Sequence, residues 1–195
     1  MTQEQWLVIG LCVVLILWYA VGAYVNYRRA AVVLDWLKDG LDELGNLSGM
    51  GWLTALHSAG RLVIRDAKAP FRMVELLFAL EARENLPVWA FRHILGRRDE
   101  LYLRADLRSL PQSDLEIVRR ARPNKSGDWY DIKGYNPKND EMLARFKAFL
   151  ALYPDSVLKV SINRKTPNAL VRFNLAILRA GTAKAFYSAL QGWFG

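Results

Sequence analysis

Trp6 to Tyr27, WLVIGLCVVLILWYAVGAYVNY, carries no charged side chain, and Arg28 and Arg29 follow it at once. A bilayer core about 30 Å thick takes about 20 apolar residues of helix. Backbone in hydrocarbon has only itself to bond to, so such a run is best satisfied as a helix. The run predicts a transmembrane helix over 6–27. Trp6 at one end and Tyr24 and Tyr27 at the other suit the two interfaces where amphipathic rings settle. Trp18, Tyr19, Arg28 and Arg29 complete the expected anchor residues.

Glu4 precedes the run with no Lys or Arg, whereas Arg28, Arg29 and Lys38 follow it. The flank richer in Lys and Arg stays cytoplasmic. The expected topology is therefore single-pass in the cell membrane, with the N-terminus outside and residues 28–195 inside. A cleaved signal peptide competes, because Val21-Gly22-Ala23 resembles a small-residue cleavage site. A signal peptide also has a positive n-region and a shorter apolar core, and both features are missing here. Cys12 is the only cysteine and lies in the apolar run. The rest of the chain thus has no internal disulfide, thiol nucleophile or thiolate metal site.

Glu4 is also the only acid before Arg28, so residues 28–195 hold all 27 bases and 18 acids, a net of +9. A basic domain beside a cytoplasmic leaflet is drawn to anionic lipid by about 1 kcal/mol per nearby Lys or Arg. The arginines are scattered without a nucleic-acid-binding motif, so nucleic acid is not expected as a partner. Arg97, Arg98, Arg119, Arg120, Arg122 and Lys125 are the candidate lipid or partner contacts. Trp193 and Phe194 join them, at a terminus almost without charge.

Residues 29–44 predict a helix, with Val33, Trp36, Leu37, Leu41 and Leu44 at three- and four-residue steps. Gly45 to Gly51, GNLSGMG, then reads as a flexible joint. From Trp52 onward the period becomes two. Leu62-Val63-Ile64 and the alternation Val74, Leu76, Phe78, Leu80 predict a hairpin over 61–82, turning near Lys68 and Pro70. A second hairpin is expected over 88–107, with Trp89, Phe91, His93 and Leu95 in one phase and Leu101, Leu103, Ala105 and Leu107 on the return. Leu115, Ile117 and Val118 pair with Trp129, Tyr130 and Ile132 in a third, turning at Pro123 to Gly127.

Asn136-Pro137 opens a helix over 137–153. Leu158, Val160 and Ile162 pair with Val171, Phe173, Leu175 and Ile177, and Thr182 caps a last helix over 182–194. A shift of 97 residues superposes Lys68 and Pro70 on Lys165 and Pro167. It also brings the alternation of 74–80 onto 171–177 in phase, as a duplicated hairpin would.

Few residues of the chain point to chemistry. His57 and His93 have no ligand spacing, so neither a metal nor a cofactor is expected. Ser58 adjoins His57, but neighbours on a strand point to opposite faces. No Gly-x-Ser-x-Gly turn and no phosphate-binding glycine loop occurs. Glu75 and Glu81 on one strand lie about 20 Å apart, too far for joint acid–base work.

The expected organisation is an anchor at 1–27, a juxtamembrane helix and glycine-rich joint at 28–51, and a cytoplasmic α+β domain at 52–195. In that domain an antiparallel sheet, roll- or sandwich-like, packs against an internal and a C-terminal helix. Strands closed by a C-terminal helix resemble pleckstrin-homology-like rolls in outline, a plan from which the helix at 137–153 departs. The functional expectation is a non-catalytic accessory or scaffold subunit of a membrane-associated assembly, binding a cytoplasmic protein partner or a second copy of itself. A basic membrane-surface module for anionic headgroups is the alternative.

Overall fold

The computed structural model describes residues 2–123 and 128–195, without the side chain of Lys138. One helix, α1, runs from Gln3 to Lys38 (Gln3–Lys38, 36 residues), joining the apolar run and the expected helix at 29–44 into a single rod. Thr2 caps it: the Gln5 amide donates to the Thr2 hydroxyl, and the Thr2 amide donates to the Gln5 side chain. It ends before Gly40, whose φ of 86° suits glycine, and a Cβ there would lie 2.7 Å from the Lys184 backbone. A 3-10 turn at Leu41–Glu43 leads onward.

The strands are β1 (Leu47–Trp52), β2 (Ala59–Arg65), β3 (Phe71–Ala79), β4 (Glu100–Leu107), β5 (Leu115–Arg119), β6 (Tyr130–Lys133), β7 (Val157–Ile162) and β8 (Ala169–Asn174). They form one antiparallel sheet in the order β1-β2-β3-β4-β8-β7-β5-β6. Helices α2 (Leu86–Ile94), α3 (Asp140–Leu152) and α4 (Ala183–Phe194) complete the α+β fold. The sheet stays open as one layer, so it neither closes into a roll nor pairs with a second sheet.

One face of the sheet is the core. Leu62, Ile64, Val74, Leu76, Phe78, Leu101, Leu103, Ala105, Val160, Ile162, Val171 and Phe173 are buried there. Full burial of such a side chain contributes about 1.5–3 kcal/mol. Phe149 of α3 and Phe186 of α4 meet Phe173 at ring-centroid distances of 6.1 and 5.3 Å. The second half of α1 joins the same core through Ala30, Val33, Leu34 and Leu37. Residues 30–44 are thus part of the domain and not a separate juxtamembrane element. On the other sheet face Glu75 is held between Arg61 and Arg104, at 2.5 and 3.2 Å, and Arg172 grips Glu100 at 2.8 Å.

Several expectations are corrected. Residues 45–51 are no flexible joint: β1 pairs with β2 from Leu47 to Trp52, at an edge where side chains carry little packing and glycine is tolerated. The hairpin over 88–107 is half right. Its return is β4, but 86–94 is helix α2, started by Asn85, whose side chain accepts from the Val88 amide at 3.2 Å, and by Pro87 in the first turn. The apparent alternation of Trp89, Phe91, His93 and Leu95 also fits a helix, on which Trp89 and His93 share one side.

Beyond β8, Leu175 and Ile177 stay buried in a 3-10 turn instead of a strand, since the Asn174 side chain caps it by accepting from the Ala176 amide. The helix expected from Pro137 begins as a 3-10 turn and becomes α3 at Asp140. The hairpins β2–β3, β5–β6 and β7–β8 form as expected. The β2–β3 and β7–β8 pairs bury Val74 and Leu76 and the shifted Val171 and Phe173 in the same core, and Leu175, the shifted counterpart of Phe78, is buried in the turn just after β8.

Candidate functional site

Strand register gathers one set of strand ends into a common rim. Ala59 pairs with Ala79, Ala79 with Glu100, and Glu100 with Asn174. Val157 pairs with Phe173, and Arg119 at the end of β5 binds Asp155 at 2.5 Å just before β7. The 53–58 and 80–99 loops, the approach to the β5–β6 turn and the segment after β8 therefore open on the same side. The apolar half of α1 enters the domain through this rim.

Entry is tight and polar. Trp18, Gly22, Asn26 and Ala30 recur every four residues and so line one stripe of α1. The Trp18 indole donates to the Arg83 carbonyl at 2.9 Å. A Cβ on Gly22 would fall 2.4 Å from that same carbonyl oxygen, so the backbones meet at a distance only glycine permits. Asn26, fully buried, donates to the Glu81 carbonyl at 2.9 Å and to the Glu84 carboxylate at 2.7 Å, and accepts from Arg83 at 2.9 Å.

Asp99, 3% exposed, closes the network. It accepts from the Glu81 amide at 2.8 Å and binds Arg83 at 3.0 Å and Arg29 at 2.6 Å. Every polar group named here finds a partner, as burial demands. His93 of α2 lies 3.4 Å from Glu81 and 3.1 Å from Arg98. Trp89 meets Trp18 at 5.6 Å between ring centroids, and Tyr27 sets its edge against His57 on the other side of α1.

A cleft of about 930 Å³ opens between α1 and the rim, lined in part by Tyr24, Arg28, Arg29, Arg83, Arg98 and Arg179. Among the described residues, Arg28, Arg92, Arg97, Arg98 and Arg179 form no ion pair with a carboxylate. Arg28 instead donates to the Tyr24 hydroxyl at 3.2 Å. The chemistry on offer is cationic and hydrogen-bond donating, suited to phosphate or carboxylate groups arriving at the rim.

The sequence-selected residues divide. Trp6, Tyr19, Tyr24 and Tyr27 are exposed along α1, while Trp18 is turned into the rim. Arg97 and Arg98 follow α2, and Arg119 and Arg120 sit at the same rim, bound to Asp155 and Asp131. Arg122 is exposed close by, and Lys125, with the turn residues 124–127, lies outside the described residues. Trp193 is a correction: it is 1% exposed and packs on Phe146 and Phe149, because α4 turns its apolar stripe into the core. Phe194 is partly buried against Phe71.

Sequence reasoning missed Asn26, Arg83 and Asp99. Asn26 was the visible signal, an amide inside an otherwise apolar run, where an unpaired polar group is costly. Among the described residues no three His, Cys, Asp or Glu side chains come together as a metal site. No protein-family model matches this chain, and no curated protein sequence matches it significantly.

Proposed function

We propose that this chain is a single-pass membrane-anchored accessory or scaffold protein without catalytic activity. It holds a cytoplasmic domain at fixed height and orientation for a protein partner in a membrane-associated assembly. The observation that carries this reading is the continuity of α1. The helix as a whole is long and apolar enough to cross a membrane, its first half is exposed, and its second half is part of the domain core. A rod shared by bilayer and core leaves no swivel between anchor and domain. The orientation rests on the arginine-rich flank at Arg28 and Arg29. Retention of the segment is favoured by Trp18 and Gly22, whose contacts with Arg83 a cleavage after Ala23 would remove.

Two measurements test the proposal. N-terminal sequencing of the membrane-extracted chain should begin before Trp6, and a start at Tyr24 overturns the anchor. Size-exclusion of the tagged chain in mild detergent should give a discrete, stoichiometric species larger than the monomer. A lone monomer at all extraction conditions removes the scaffold reading.

A second reading, a basic surface module for anionic headgroups, draws support from the arginine-lined cleft beside α1. Its signature is co-sedimentation with vesicles carrying anionic lipid that weakens as salt rises, because exposed charge is screened over about 8–10 Å at physiological ionic strength. Equal binding to neutral and anionic vesicles would sink it.

A further inference from the structure

We infer that α2 is a second membrane element, an amphipathic helix lying in the headgroup–acyl boundary of the leaflet that α1 crosses. The inference deepens the anchor reading and rests on it. Among the described residues of α2 none is buried, although six of its nine residues are apolar side chains other than proline. Phe91 is 66% exposed, Ile94 83%, and Leu95, just past the helix, 59%. With Val88 they follow the three- and four-residue steps of a single helix face. The opposite side, Trp89 and His93, turns toward Trp18 and Glu81. Such an outward apolar face on an otherwise well-packed domain marks something that covers it.

Length says what covers it. Every residue from Trp6 to Leu17 is exposed, but at about 1.5 Å per residue that stretch reaches only about 18 Å, short of the roughly 30 Å hydrocarbon core. A span of about 20 residues counted from Trp6 ends at Val25. Trp89 meets α1 at Trp18, about 10 Å below that level along the helix axis. Interfacial helices bury their apolar face about 5–10 Å into the boundary. If α1 spans, α2 is therefore already at that depth. Arg92, Arg97 and Arg98, which form no ion pair with a carboxylate among the described residues, flank its apolar face where anionic headgroups would lie. The occupant this geometry selects is the anionic leaflet.

The test uses the full chain in vesicles of phosphatidylcholine and phosphatidylglycerol, with spin-labelled acyl chains as quenchers. One sample carries an environment-sensitive fluorophore on the native Cys12. Two others carry it on Phe91→Cys or Leu110→Cys, each combined with Cys12→Ser; Leu110 is exposed on the loop after β4, at the opposite end of the strands. The label at Phe91→Cys should lose more than about half its emission to shallow acyl-chain quenchers, as depth in the boundary requires. The label at Leu110→Cys should be untouched. Quenching at Cys12 without quenching at Phe91→Cys overturns the role of α2 and leaves the anchor standing. A Phe91→Cys label shielded from water and from lipid quencher alike makes a second copy of the chain the occupant, and also overturns it. An unquenched Cys12 removes the anchor, and this inference falls with it.

Discussion

The Asn26 side-chain amide donates to the Glu81 backbone carbonyl at 2.9 Å from a fully buried position on α1. That bond, with those to Glu84 and from Arg83, ties an apolar helix to the sheet domain. The same residue that weakens the case for a uniform lipid-facing helix fixes how the domain meets it.

Replacing Asn26 with Leu keeps the volume roughly and removes the partner of three groups. Each buried group left unsatisfied costs about 1–3 kcal/mol. The expected outcome is a clear drop in the melting temperature of the full chain in detergent, with faster amide exchange over 80–85. An unchanged melting temperature would mean that the rim does not depend on this network.

Two glycines in the same apolar run should behave oppositely. A methyl at Gly22 meets the Arg83 carbonyl, whereas a Cβ at Gly10 has nothing within 4 Å. Gly22→Ala should destabilise by about 1–3 kcal/mol despite the better helix propensity of alanine, because neither backbone can give way cheaply. Gly10→Ala should stay within about 0.5 kcal/mol of wild type or stabilise slightly. Equal melting temperatures for the two variants would disprove the close approach.

Asp99 offers a test of which arginine matters. Its carboxylate is buried, Arg83 is 18% exposed and Arg29 is 45% exposed in their side chains. Removing one partner of a buried pair costs about 3–5 kcal/mol, and exposed pairs cost about 0–1 kcal/mol. Asp99→Asn should therefore be severe, Arg83→Ala nearly so and Arg29→Ala mild. Urea midpoints on the detergent-solubilised chain would rank them, and a reversed order for the arginines would refute the assignment.

Tyr187 links α4 to α1 by donating to the Leu37 carbonyl at 2.6 Å, and burial, with Asp39 nearby, pushes its phenol well above the usual tyrosine range. A raised native pKa means stability that is fully present below about pH 10 and lost as pH rises further, since the unfolded phenol ionises first. Tyr187→Phe should cost about 1 kcal/mol at pH 7 for the lost hydrogen bond. The gap between the two proteins should then shrink between about pH 10 and 11.5. A gap independent of pH would show that the phenol does not stay neutral in the folded chain.

Much of this protein is readable along the chain because the relevant signals are local. An unbroken apolar run of this length is too long for a buried strand and reads as a helix, and the alternation at 74–80 and 171–177 fixes which residues face a core. Pro137 and Thr182 mark helix starts through their own backbone chemistry. What stayed hidden depended on contacts distant in sequence. Val88 to Leu95 is the local exception: it fits strand and helix periods alike, and the Asn85 cap with Pro87 in the first turn decides for the helix. Gly45 to Gly51 lacks side chains to announce a strand, so pairing with β2 makes it one. Trp193 carries no sign of its burial; Phe146 and Phe149 supply it. Most of all, the sequence alone determined that α1 is long and apolar, because that is a property of its side chains. Only tertiary structure decided that half of it belongs to the domain, since the partners of Gly22, Asn26 and Arg29 lie more than fifty residues away.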